Sequence, residues 1–276
     1  DAGTGQELRR FRTRSRWNMD VAFQPASDTL AVATAAGVVE LWPADFDPES
    51  VTRRAHTMAG AQSVAVHPDS GRVAAVGFVT GVIDDLATQK TVSRLGVSPR
   101  TVETGRFSPD GRRLALALKS GEASLFDVET GRILHALRHP SRIPITLAFS
   151  GDGRRLAVAT RAQPDRRAAA PRDHVTIWDV DTGQRVGQIE GGGEPIVAIS
   201  LSRDGQRLLT GSPTPTYRLW DVNTGRLIVA IPDRSEGTNE TSLAALSPDG
   251  RRAAVTAGNW IGATDPTIDI VDLETG

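Results

Sequence analysis

Cysteine is absent from the 276 residues of the chain. Disulfides, thiolate catalysis and cysteine-bound zinc are therefore excluded together. The sequence also has no apolar run close to the roughly 20 residues that a membrane-spanning helix needs. No secretory signal pattern precedes the first turn. We therefore expect no membrane association and a cytoplasmic location.

The chain also has no excess of positive or of negative side chains. Lysine plus arginine number 32 and aspartate plus glutamate 33, for a formal net charge of -1. Such a chain has no overall attraction to a phosphate backbone, so we expect no nucleic-acid partner. Hydrophobic residues at 39% and charged residues at 24% are typical of a globular domain that can bury a core.

A short turn recurs along the whole chain at a nearly constant spacing. It reads DAGTG, PADFD, DLATQ, DVETG, DVDTG, DVNTG and DLETG, starting at positions 1, 43, 85, 127, 179, 221 and 272. Intervals of 42 residues predominate, with two longer intervals of 52 and 51. A period of this length is typical of propellers and solenoids, in which one repeat cannot bury its faces alone.

A second motif, exemplified by SPDG, alternates with the first. It appears as FSPDGRRLALAL, FSGDGRRLAVAT, LSRDGQRLLTGS and LSPDGRRAAVTA, with looser copies nearer the start of the chain. Aspartate bonds nearby backbone amides, and Gly111 or Gly250 supplies the positive φ that such a turn requires. We interpret these motifs as hairpin turns between two strands.

The residues around both turns predict four strands in each period. Two strands flank the SPDG-type turn, a third ends near the DVxTG-type turn, and a fourth follows it, as in GRILHAL, GQRVGQI and GRLIVAI. One position in the third strand is aromatic in four periods, as Trp42, Phe126, Trp178 and Trp220. We expect this aromatic to pack between neighbouring sheets.

These repeats resemble the WD-repeat propellers, whose name comes from the Trp-Asp pair present here as Trp178-Asp179 and Trp220-Asp221. The resemblance extends over nearly the whole chain, although the family's Gly-His pair has no counterpart except His139 in LRHP. The SPDG-type turns are also similar to those of six-bladed propellers of the Tol type. The WD-repeat resemblance implies protein or peptide partners.

We therefore predict an all-β fold, a single β-propeller of four-stranded blades with six repeats over residues 1–276. The last blade would hold three strands ending at DLETG, and Gly5–Phe11 would add the fourth strand. This closure would pair an edge that an open array leaves exposed. Because the first residue is Asp1 and not Met, we expect a module of a larger protein that carries signalling domains elsewhere.

Catalytic and metal-binding patterns are lacking in the sequence. The five histidines are His56, His67, His135, His139 and His174. None lies in a metal-binding motif, because LHALRHP is expected to be strand and loop and lacks a glutamate at the required place. No GxSxG nucleophile motif is present. We predict no catalytic residue, no metal and no cofactor.

A binding face is predicted where the repeats align just before their first strands. This column reads Arg16, Ala59, Arg100, Arg142, Glu194 and Asn239. In a propeller the column lies near one mouth of the central channel, so its arginines could contact a carboxylate, a phosphate or an acidic peptide. Trp17 and Trp260 lie in neighbouring segments and would suit an interface. Solvated surface side chains are the alternative.

The sequence thus favours a non-catalytic scaffold or sensor that binds a protein or peptide and belongs to a bacterial signalling or regulatory protein. The first alternative is a small-molecule-binding or enzymatic propeller that uses its central channel. The second is a structural stack of blades that positions attached domains.

Overall fold

The computed structural model describes residues 18–24, 29–34, 38–42, 52–55, 61–68, 71–77, 81–85, 88, 90–96, 102–140, 142–162, 173–213, 216–231, 244–257 and 267–274. Over these residues every regular element is a β-strand. None of them forms a helix with the length and apolar character needed to cross a membrane. The all-β prediction is confirmed for this part of the chain.

The first two sheets contain four strands each. Sheet 1 comprises β1 (Asn18–Gln24), β2 (Thr29–Thr34), β3 (Val38–Trp42) and β4 (Thr52–Ala55). Sheet 2 comprises β5 (Ala61–Val66), β6 (Arg72–Gly77), β7 (Gly81–Asp85) and β8 (Lys90–Leu95). In both sheets, each strand pairs with the next strand along the chain.

The next three sheets repeat this order. Sheet 3 holds β9 (Val102–Phe107), β10 (Arg113–Leu118), β11 (Glu122–Asp127) and β12 (Ile133–Arg138). Sheet 4 holds β13 (Arg142–Phe149), β14 (Arg155–Ala162), β15 (His174–Asp179) and β16 (Arg185–Glu190). Sheet 5 holds β17 (Ala198–Leu201), β18 (Arg207–Gly211), β19 (Tyr217–Asp221) and β20 (Leu227–Ile231). The predicted four strands per period are confirmed for these sheets.

The chain divides into two compact units. The first unit comprises residues 1–114 and 126–132, and the second comprises residues 115–125 and 133–276. Sheets 1 and 2 belong to the first unit, and sheets 4 and 5 belong to the second. The first unit also contains β9, and the second contains β12.

Antiparallel pairing gives each sheet two different ends. The turns from the first to the second strand and from the third to the fourth lie at one end, which we call the turn end. The connections from the second to the third strand, and from one sheet to the next, lie at the other end, which we call the loop end. In the second unit the turn ends are bonded together, because Asp152 N donates to Arg203 O and Arg203 N to Pro248 O, both at 2.8 Å.

The turns between first and second strands use the same hydrogen bonds in sheets 3, 4 and 5 and in the sheet that follows them. Ser108 Oγ donates to Asp110 Oδ1 at 2.6 Å, and the same Oδ1 accepts the Arg112 amide at 3.1 Å. Gly111 and Gly250 have φ angles of 69° and 70°, which confirms the predicted hairpin turns. The pKa of Asp204, the equivalent carboxyl in sheet 5, is lowered chiefly by its bond from Ser202.

The turns between third and fourth strands are equally uniform. Asp179 Oδ1 accepts both the amide and the hydroxyl of Thr182 at 2.8 Å, and these bonds lower the pKa of Asp179. Asp127 and Asp221 hold Thr130 and Thr224 in the same way. The repeated DVxTG-type sequence is therefore a self-contained turn, as its composition indicates.

Aromatic side chains pack between successive sheets of the second unit. Trp220 lies in one cluster with Ile177 and Ile189 of sheet 4. Trp178 is half-buried and packs against a cluster that contains Leu125 and Leu137 of sheet 3. The predicted role of these aromatics between blades is confirmed at both positions.

The last sheet has three strands in the described part of the chain. It comprises β21 (Ala244–Leu246), β22 (Arg252–Ala257) and β23 (Thr267–Asp272). Ile270 of β23 is 67% exposed, whereas Ile177 and Leu219, two residues before the equivalent aspartates, are fully buried. The predicted closing strand, Gly5–Phe11, lies outside the described residues. Closure into one propeller and the count of six blades stay predictions.

Candidate functional site

Two of the residues predicted to form the binding face can be placed, and both lie at the loop end of the second unit. Arg142 is the first residue of β13, and Glu194 lies in the connection between β16 and β17. The others lie outside the described residues: Arg16, Trp17, Arg100, Asn239 and Trp260. The following paragraphs describe the surroundings of Arg142 and Glu194.

Arg142 is fixed by the strand that pairs with its own. Its Nε donates to Thr160 Oγ1 at 2.8 Å, and its Nη2 donates to the Thr160 carbonyl oxygen at 3.0 Å. The register brings the two residues together, because Arg142 faces Ala162 at the end of β14. The guanidinium therefore has a set orientation and is only partly accessible to water.

Burial lowers the pKa of the Arg142 guanidinium, and the negative charge of Asp173 opposes that shift. Arginine remains protonated in proteins, so the group keeps its charge at neutral pH. Asp173 is itself buried, and its Oδ2 accepts the amide of Ile196 at 2.9 Å. This carboxylate thus connects the surroundings of Arg142 to the segment that carries Glu194.

Glu194 belongs to an ion pair within the chain. Its Oε2 lies 3.2 Å from Nη1 of Arg218 in β19, and both side chains are partly buried. A β-carbon at Gly192 would lie only 2.9 Å from Cζ of Arg218, so the glycine leaves room for this guanidinium. The loop end of sheets 4 and 5 therefore presents two charged groups whose positions are set by Thr160 and Arg218.

His139 forms a buried contact beside this site. Its ring packs edge-on against Trp178, with centroids 5.4 Å apart and planes inclined at 82°. Its Nε2 and the Trp178 Nε1 are buried and have no hydrogen-bond partner in the structure. Burial, together with the positive charge of Arg142, lowers the pKa of His139 to about 4. The imidazole is therefore neutral at physiological pH.

Acid is expected to destabilise the folded chain through His139. An ordinary histidine has a pKa near 6.5, whereas His139 in the folded chain has a pKa of about 4. Between these two pH values the unfolded chain therefore binds a proton at His139 that the folded chain does not bind. The free energy of unfolding should fall by up to about 3 kcal/mol as the pH drops through this window. Urea unfolding of the parent and of His139→Leu at pH 7.5, 5.5 and 4.5 measures the effect.

The difference in stability between parent and His139→Leu should therefore change with pH, because only the parent carries this proton-linked penalty. His135→Leu is the matched control, since His135 is a half-buried histidine of β12 whose Nε2 lies 3.0 Å from the Asp181 carbonyl oxygen. A parent-minus-His139→Leu difference that is constant across the range contradicts the prediction.

The loop end of sheets 4 and 5 thus carries oriented guanidinium and carboxylate groups. Such groups can pair with charges of opposite sign. Across the described ranges, no group of three histidine, aspartate or glutamate side chains could hold a metal ion. Sequence reasoning missed Thr160 and Asp173, which act on Arg142, and Arg218, which pairs with Glu194. All three are distant in sequence from the residues that they influence.

Comparison with known proteins agrees with the repeat architecture. Residues 87–150 match the family model of the anaphase-promoting complex subunit 4 WD40 domain. WD repeat-containing protein SL1-17 of Schistosoma mansoni is 28% identical over 145 residues, which are 52% of this chain and 44% of that protein. An uncharacterized WD repeat-containing protein of Synechocystis is also 28% identical over 145 residues, with 52% and 38% covered.

A plant protein is similar over a longer stretch. The guanine nucleotide-binding protein subunit beta of Oryza sativa is 25% identical over 185 residues, or 63% of this chain and 45% of that protein. The chain thus spans less than half the length of these curated relatives. Together with the four-stranded sheets and the Trp-Asp pairs, these matches show that the chain is similar to WD-repeat proteins.

Proposed function

We propose that this chain is a non-catalytic module that binds a protein or peptide through its loop end, as the scaffold or sensor part of a bacterial signalling or regulatory protein. The observation that carries the proposal is the fixed guanidinium of Arg142. Thr160 orients it in a partly buried position, and such preorganised arginines recognise carboxylates with little loss of side-chain entropy.

Two further observations support binding over catalysis. In sheets 3 to 5 the residues of both turns bond to one another at the turn end, while the two long repeat intervals owe their extra residues to loop-end segments of the sequence. The matching family model and the plant relative are both named as subunits, which are parts of protein assemblies. A partner protein or peptide is therefore the natural ligand of the loop end.

The test removes the three predicted arginines without adding charge. The variant carries Arg16→Gln, Arg100→Gln and Arg142→Gln, and the control carries the same change at Arg112, Arg154 and Arg203, three exposed arginines of the turn end. Partners recovered by pull-down with the parent should be lost with the first variant and kept with the second. Melting curves must show that both variants fold. Retention of every partner by the folded loop-end variant rejects the site.

A further inference from the structure

Large apolar side chains are exposed at the start of the fourth strands in the second unit. They are Ile133 and Leu134 of β12, Val186 of β16, and Leu227 and Ile228 of β20. Each is between 43 and 52% exposed. Isolated exposed apolar residues are common on proteins, but these recur at matching positions of three successive sheets. Together with Arg185 and Arg226 we call them the edge-strand surface.

A bulge directs two of these side chains outward. The pairing of β15 with β16 shifts so that Val186 faces no partner residue, and the pairing of β19 with β20 shifts in the same way at Ile228. A bulge adds one residue to an edge strand and re-aims a side chain, and bulges occur often beside functional sites. The exposure is therefore built into the backbone of the repeat.

Contacts between successive sheets make this surface continuous within the second unit. His135 of β12 lies 3.0 Å from the carbonyl oxygen of Asp181, in the turn that leads into β16. A β-carbon built at Gly187 of β16 would lie 3.3 Å from the Val222 carbonyl oxygen, in the turn that leads into β20. Each fourth strand thus lies against the turn that begins the next one.

Two exposed arginines lie beside the apolar residues. Arg185 precedes Val186, and Arg226 precedes Leu227. Both are exposed. Arg185 Nη1 donates to Gln188 Oε1 at 3.2 Å, and neither arginine forms an ion pair with a carboxylate of the described residues. In sheet 2 the place of Leu227 is taken by Thr91 and the place of Ile228 by Val92. Apolar side chains flanked by exposed arginines complement a ligand that is both apolar and acidic.

We propose that the edge-strand surface docks an acidic polypeptide segment with spaced apolar side chains. Leucine-like side chains of the segment contact Leu134, Val186 and Ile228, and its carboxylates pair with Arg185 and Arg226. This surface lies near the turn ends, away from Arg142 at the loop end. The proposal rests on the polypeptide-binding function above and assigns a second surface to it.

The probe is a fluorescein-labelled synthetic peptide in which pairs of glutamates alternate with pairs of leucines. Anisotropy should show binding to the full chain with a Kd of about 10–100 µM. Val186→Ser with Ile228→Ser should weaken binding about tenfold, because contact with these side chains carries the apolar part. Arg226→Gln should weaken it about threefold, and added salt should do likewise. These residues are exposed, so unfolding curves should remain those of the parent.

Ser120→Ala, an exposed change at the loop end, is the matched control and should bind the peptide as the parent does. Equal binding by Val186→Ser with Ile228→Ser, no binding by the parent, or equal binding of a lysine-leucine peptide overturns the proposal. A dimer in sedimentation that the double serine variant abolishes would assign the surface to a second copy instead. Capture by phosphatidylserine vesicles without peptide binding would assign it to a membrane.

The loop-end arginines are unchanged in these variants. If the loop-end glutamine variant loses its partner while the double serine variant binds the probe peptide like the parent, this inference fails and the proposed function stands. If the peptide binds as expected while the loop-end glutamine variant keeps every partner, the loop-end site is rejected and the edge-strand inference stands.

Discussion

Removal of residues 1–12 is expected to cost the chain most of its stability, on the order of 5 kcal/mol. The last sheet (β21–β23) has three strands among the described residues, and a fourth strand from the N-terminal segment would satisfy the open edge of β23. Denaturant unfolding of residues 1–276 against residues 13–276 measures the loss. One cooperative transition for the full chain and aggregation or early unfolding of the shorter chain would support closure.

Ile270 provides an independent readout of the same closure. Its equivalent Ile177 is buried among Ile189 of the fourth strand and Leu208 of the next sheet. If closure covers Ile270 in the same way, Ile270→Ala should cost about 2–5 kcal/mol, as a core substitution does. Leu219→Ala, at the equivalent buried position of sheet 5, is the matched control.

A cost below about 0.5 kcal/mol for Ile270→Ala, beside a full cost for Leu219→Ala, would show that Ile270 stays in water. Together with equal stability of the long and short chains, that result contradicts closure by the N-terminal strand. It would then favour an arrangement in which a further blade separates the last sheet from sheet 1.

Gly131→Ala is expected to destabilise the chain by about 4 kcal/mol. The residue ends the DVETG turn with a φ of 68°, where an alanine is strained. A β-carbon there would also lie 2.5 Å from the Arg94 carbonyl oxygen and 3.2 Å from Ser93 Cβ. Because the nearest atom belongs to the backbone of a paired strand, it cannot rotate away. Urea unfolding provides the measurement.

Gly225 is a control that separates the cost of backbone strain from the cost of a steric clash. Gly225 ends the equivalent DVNTG turn with a φ of 69°, but a β-carbon there meets only the Gln188 carbonyl oxygen at 3.5 Å. Gly225→Ala should therefore cost only the backbone strain, about 1–2 kcal/mol. Equal costs for the two alanine variants would mean that the Gly131 turn moves freely away from Arg94.

Features that depend on residues close in sequence could be predicted without a structure. The hairpin at Gly111 and the turn at Asp179 each use partners within five positions, so their composition identifies them. The inward aromatic at Trp178 and Trp220 follows from strand alternation combined with the repeat. The four-strand period follows from the spacing of the two turns.

Features that depend on one-residue offsets or distant partners could not be predicted. The bulges at Val186 and Ile228 leave no compositional signal, because apolar residues also suit a regular strand. Arg142 lies at the loop end, and its hydrogen bonds to Thr160 cross 18 positions. Glu194 likewise pairs with Arg218 across 24 positions, so its side chain is less available than the sequence indicates.

In the sheets of the second unit, a backbone hydrogen bond joins the two turns of the sheet, so the turn half of each of these sheets is fixed by its own bonds. Val180 N donates to Arg154 O, Val222 N to Gln206 O and Leu273 N to Arg251 O, at 2.8 to 2.9 Å. Substitutions at these turns disturb the geometry of the sheet to which the turns belong. The opposite half can gain or lose residues without touching those bonds. Engineers seeking new specificities should therefore randomise the connections after second strands and leave the aspartate-glycine corners alone.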